Sequence, residues 1–142
     1  MNIFFMILAI LAGIFTTIES GINSQLGKHL TPSIATLHSL ITGLAFIFLI
    51  NLIKGNLIRY QKIITVKPIL LIGGVFGALI IYLSSKAMPV LGISNTVILV
   101  LTGQLVSSLV LDAFINNMEI GIRKMSGMIL FLIGAILFLQ EN

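Results

Sequence analysis

The chain has 142 residues, of which 58% are hydrophobic and 8% charged, with eight Lys/Arg against four Asp/Glu. A soluble domain carries about a quarter charged residues, so this composition excludes a water-soluble globular fold, and its apolar richness excludes a disordered one. Eight dispersed bases form no phosphate-binding stripe, so no nucleic-acid partner is expected; with no cysteine and two histidines, no disulfide framework, metal site or cofactor is expected either.

The apolar runs suit a bilayer core of about 30 Å, which takes about 20 helical residues to cross. The first span is read at about 3–24. Its start, Met1-Asn2-Ile3, lacks the basic region of a cleaved leader, and its apolar run is too long for one, so it is expected to remain as a helix. The second, about 32–53, follows Thr31-Pro32, where proline lacks only an N–H that a first helical turn leaves unpaired anyway. A polar loop carrying Lys54, Arg59 and Lys62 leads to the third span, about 67–87, ending before Met88-Pro89. The fourth is placed at about 92–114, with a loop through Asn116, Asn117 and Glu119. The fifth runs over about 122–139, before the tail Gln140-Glu141-Asn142. Continuous apolar runs, unlike alternating barrel strands, predict an all-α polytopic protein of five transmembrane helices in a single domain, 1–142.

Lys/Arg in short loops sets the orientation. Five spans put Lys54, Arg59, Lys62, Lys67, Arg123 and Lys124 on the side of the N-terminus, against Lys28 and Lys86 on the other. Six against two predicts the N-terminus inside and the C-terminus outside.

An ionisable residue within a span is a functional candidate. Glu19 lies roughly 24 Å along the first helix at about 1.5 Å per residue, in the outer half of the bilayer. By the same rise, His38 lies roughly 9 Å below the outer end of span two, and Tyr82 roughly 22 Å from the inner end of span three. Asn95 falls in the first outer turn of span four, and Gln104 near its midplane. Thr16, Glu19 and Asn23 share one face at i, i+3 and i+7, and His38 and Thr42 are one turn apart. This convergence predicts a polar pocket open to the outside and narrowing near Gln104, lined by Glu19, Asn23, His38, Thr42, Tyr82, Asn95 and Gln104. Plainer readings stand beside it. Glu19 can snorkel or pair with Lys86, His38 can be a packed residue, Gln104 interhelical glue, and Tyr82 an interfacial anchor. Asp112 is best read as solvated or paired with Arg123 or Lys124.

Gly73 with Gly77, and Gly127 with Gly134, sit at spacings that let helix backbones approach closely, within the chain or across a dimer. Neither pair is a nucleotide motif, since no Gly-Lys-Ser/Thr loop and no G-x-G-x-x-G is present.

The run Glu19-Ser20-Gly21-Ile22-Asn23-Ser24-Gln25-Leu26-Gly27 resembles the signature of the YdcZ family, in which a polar residue precedes Ile-Asn-small-x-Leu-Gly. Thr36-Leu37-His38-Ser39 with Thr42-Gly43, and Thr102-Gly103-Gln104-Leu105 with Leu111-Asp112, fit the same family, so the resemblance covers almost the whole chain. The family belongs to the drug/metabolite transporter superfamily, built from repeats of four or five helices. The resemblance implies one five-helix repeat, an inner-membrane exporter of a small solute, and work as a dimer, either with an inverted copy or with an oppositely oriented homologous subunit. The Lys/Arg bias favours a subunit of fixed orientation, with a parallel or dual-topology homodimer as second choice. One departure matters: many members carry glutamine or another uncharged residue near Glu19, whereas small multidrug relatives use a first-helix glutamate for proton and substrate. The resemblance therefore does not by itself give Glu19 that role.

Three functions follow from the residues. A secondary transporter working by alternating access leads, with substrate cation and proton competing for Glu19. A non-transporting scaffold or regulatory subunit is the alternative. An enzyme is not expected, because no nucleophile, metal set or second carboxylate joins Glu19 and His38.

Overall fold

The computed structural model describes residues 2–115 and 121–140; the loop expected through Asn116, Asn117 and Glu119 and the last two tail residues lie outside them. Five helices are long and apolar enough to cross a membrane, and among the described residues there is no strand. They are α1 (Ile3–His29), α2 (Pro32–Ile53), α3 (Gly73–Leu91), α4 (Ile93–Ile115) and α5 (Ile122–Gln140). A 3-10 segment, Asn56–Thr65, follows α2, and a second, Pro68–Leu71, leads into α3.

The helix ends follow from local chemistry. The Asn2 side chain accepts a hydrogen bond from the Phe4 N–H at 3.1 Å and so caps α1. Thr31 caps α2 in the same way, accepting from the Ile34 N–H at 3.2 Å, with Pro32 in the first turn. α1 outruns its expected end by five residues, from 24 to His29. Lys28 in its last turn complements the negative end of the helix dipole and favours the longer helix. Only Leu30 and Thr31 separate α1 from α2. That tight reversal brings the two helices close at Gly27, where an added Cβ would lie in contact with α2, 3.4 Å from Pro32 Cα and 3.9 Å from Ala35 Cβ.

α3 passes through Pro89 to Leu91 rather than stopping before Met88. Proline this close to a helix end withholds one donor, the one due to the Ser85 carbonyl, and membrane helices tolerate that loss. Gly92, at φ +83°, then turns the chain into α4, a left-handed conformation that suits glycine.

The chain divides into two compact units, 1–89 and 90–142. In the first, α1 and α2 pack as a hairpin. Its buried residues are small or polar and gather towards one end of each helix: Asn23 and Ser24 on α1, Ala35 and Thr36 on α2, Ser84, Ser85 and Met88 on α3. Small side chains let backbones approach where lipid offers no hydrophobic drive between helices. In the second unit α4 packs on α5, Ala135 is buried, and Lys124 Nζ lies 4.0 Å from Asp112 Oδ2. That pair matches the plainer expectation for Asp112.

Candidate functional site

The α1–α2 hairpin carries a groove of about 530 Å³, lined by Phe15, Ile18, Glu19, Asn23, His38 and Thr42 among others. Among the described residues its lining comes from these two helices, and it is partly open. The polar residues sit there because of helical spacing: Glu19 and Asn23 are one turn apart on α1, as are His38 and Thr42 on α2.

A hydrogen-bonded relay crosses the groove. Asn23 Nδ2 donates to Ser39 Oγ at 3.1 Å, and Ser39 Oγ donates to Glu19 Oε1 at 3.0 Å. A single hydroxyl thus accepts from one residue of α1 and donates to another, using the two roles a serine offers. Asn23 is 3% exposed, so its amide has little other recourse. Glu19 lies exposed on the groove side of the hairpin, presenting its carboxylate to whatever fills the groove. Its expected alternative partner, Lys86, is not within ion-pair distance, the ion pair among the described residues being Lys124–Asp112. The threonines are tied to their own helices: Thr16 Oγ1 donates to the Ala12 carbonyl at 2.9 Å, and Thr42 Oγ1 to the His38 and Ser39 carbonyls. Their hydroxyl protons are therefore committed, and lone pairs remain for a ligand donor.

Four of the seven residues expected at the pocket, Glu19, Asn23, His38 and Thr42, line this groove. Tyr82, half-buried on α3, is not one of its lining residues. Asn95 is half-buried in the first turn of α4. Gln104 lines a separate cavity of about 350 Å³ within the second unit, with Leu101, Leu105, Ser108 and Phe131. Ser39 was missing from the expected set. The repeat Thr36, Ser39, Thr42 at i, i+3 and i+6 marks a polar stripe that would have found it.

Ser85 is fully buried on α3, and its Oγ has no hydrogen-bond partner among the described residues. Among the described residues, a Cβ added at Gly73 or Gly77 would meet nothing within 4 Å in the first unit, nor one at Gly127 or Gly134 in the second. Among the described residues no group of three or more His, Asp or Glu is placed to hold a metal ion.

No curated protein and no solved structure matches the chain. Residues 4–137 match the family described as "Putative inner membrane exporter, YdcZ". That match spans nearly the whole sequence, and the chain belongs to this family of multi-pass inner-membrane proteins.

Proposed function

We propose that the protein is a subunit of a secondary transporter that exports a small solute by alternating access, with the α1–α2 groove as its binding site. The observation that carries this reading is the Glu19–Ser39–Asn23 relay, a carboxylate held across two membrane-spanning helices at the edge of an open groove. A charge at that depth is costly and is retained where it serves a solute or a proton. Phe15, Ile18, Ile22 and Leu26 supply apolar wall around one acid, which suits a small amphipathic cation. Solute and proton would compete for Glu19, so that binding one releases the other. Two helices give the groove one wall only, and a second subunit, inverted or homologous, supplies the other and the paired repeats that alternating access uses. The small-residue faces at Gly73/Gly77 and Gly127/Gly134 suit such a partner. The N-terminus is placed inside and the C-terminus outside, from the six-to-two Lys/Arg bias.

The test is uptake of tetraphenylphosphonium into proteoliposomes under an imposed pH gradient. Proton-driven accumulation that Glu19→Gln abolishes and Asp112→Asn spares is the expected result. Undiminished proton-coupled flux in Glu19→Gln would remove the carboxylate from the mechanism. The same small-residue faces also fit a non-transporting scaffold, and absence of flux for every solute tried, with and without a co-reconstituted homologue, would favour it.

A further inference from the structure

The segment between α2 and the third span was expected to be a polar loop, but residues Asn56–Thr65 form an unbroken 3-10 helix. Such a helix has about three residues per turn, so side chains at i and i+3 eclipse, and runs beyond about four residues are uncommon. That period sorts this sequence into three columns. Asn56, Arg59, Lys62 and Thr65 form a polar, cationic one; Leu57, Tyr60 and Ile63 an apolar one; Ile58, Gln61 and Ile64 a mostly apolar one. Leu57 and Ile63 are half-buried. Ile58, Tyr60 and Ile64 stand out, at 68%, 69% and 88% exposure.

We propose that this segment is a foot that lies on the bilayer surface and binds the phosphate headgroups of anionic lipids. Its position requires the interface, because α2 ends at Ile53 and the third span starts at Pro68. Its charge selects the lipid. Lys54, Arg59, Lys62 and Lys67 fall within 54–67 with no acid among them, and the sequence holds no Asp or Glu between Glu19 and Asp112. Exposed Ile58 and Ile64 enter the acyl boundary, Tyr60 takes the level that interfacial aromatics favour, and Arg59 with Lys62 remain among the headgroups. The inference is independent of what the α1–α2 groove carries.

The chain has no tryptophan, so Tyr60→Trp installs a single fluorophore in the foot. The protein is reconstituted in phosphatidylcholine–phosphatidylglycerol vesicles of equal mixture, with bromines on one lipid or on the other. Stronger quenching by brominated phosphatidylglycerol is expected. Each basic residue near a charged surface is worth about a fivefold enrichment, so adding Arg59→Gln and Lys62→Gln should lower the anionic preference by roughly 25-fold at the limit of two independent charges. Ile64→Trp serves as a second reporter should Tyr60→Trp disturb the helix, with helicity checked by circular dichroism. Equal quenching by the two lipids, or a preference that survives both glutamine substitutions, would overturn the proposal. Loss of the preference on adding inorganic phosphate, at an ionic strength matched with chloride, would assign the site to a free anion and overturn it too.

Discussion

Replacing Ser39 with alanine removes the one atom that connects the two sides of the groove. Its hydroxyl takes part in two interhelical bonds, from Asn23 Nδ2 at 3.1 Å and to Glu19 Oε1 at 3.0 Å. Interhelical side-chain hydrogen bonds in membranes average about 0.6 kcal/mol and reach about 1.7. Two average bonds give about 1.2 kcal/mol. The Asn23 amide, 3% exposed, then has little access to a replacement partner, and an orphaned buried donor costs about 1–3 kcal/mol. The two figures measure one loss and do not add, so Ser39→Ala should destabilise the protein by about 1–3 kcal/mol. Equilibrium unfolding in bicelles measures this, with Asn23→Ala and the double substitution closing a mutant cycle. A coupling energy of about 0.6–1.7 kcal/mol between the two positions is expected. Ser39→Ala within about 0.3 kcal/mol of wild type, with additive effects in the cycle, would refute the relay.

Other positions give sharper contrasts. At Gly27 a methyl group just fits at 3.4 Å from Pro32 Cα, so Gly27→Ala should cost under about 1 kcal/mol, whereas Gly27→Val overpacks the reversal and should cost about 1–3 kcal/mol in the same unfolding assay. Ser85→Ala removes a buried hydroxyl that has no partner among the described residues and should leave stability unchanged or raise it by up to about 1 kcal/mol; a clear loss would mean that the hydroxyl is satisfied in the bilayer. The wild-type chain has no cysteine, so Leu30→Cys and Asn56→Cys report sidedness with a membrane-impermeant maleimide. Leu30→Cys should label only from outside and Asn56→Cys only from inside, and labelling of each from both sides would contradict a fixed orientation.

The five spans and the family were legible because lipid demands long apolar runs and because the Glu19–Gly27 signature is dense. Helix ends were less so. The reach of α1 to His29 depends on polar residues that remain helical in the headgroup layer, and the passage of α3 through Pro89 depends on how few hydrogen bonds one late proline costs. The 3-10 foot was hidden because periods of 3.6 and 2 do not reveal a pattern of three. Depth along each helix was readable from a constant rise per residue, and it placed Glu19, Asn23, His38 and Thr42 at heights that meet in one groove. Azimuth was not readable in the same way. Which face of α2 turns to α1 is set by the close approach at Gly27 and Pro32, a tertiary contact that brings Ser39 to Glu19 and leaves Tyr82 off the lining.

A groove that binds solute and proton at Glu19 must be reached by water rather than filled by lipid. Thr42→Cys places a thiol in it, while Leu44→Cys, about 200° around the same helix at about 100° per residue, places one on an exposed apolar face. Reaction of each variant in native membranes with a cationic, membrane-impermeant thiosulfonate is the direct measurement. Rapid modification of Thr42→Cys is expected, slowed when Glu19→Gln removes the carboxylate that draws the cation in, with no modification of Leu44→Cys. Equal resistance of both thiols would contradict a groove reached by water.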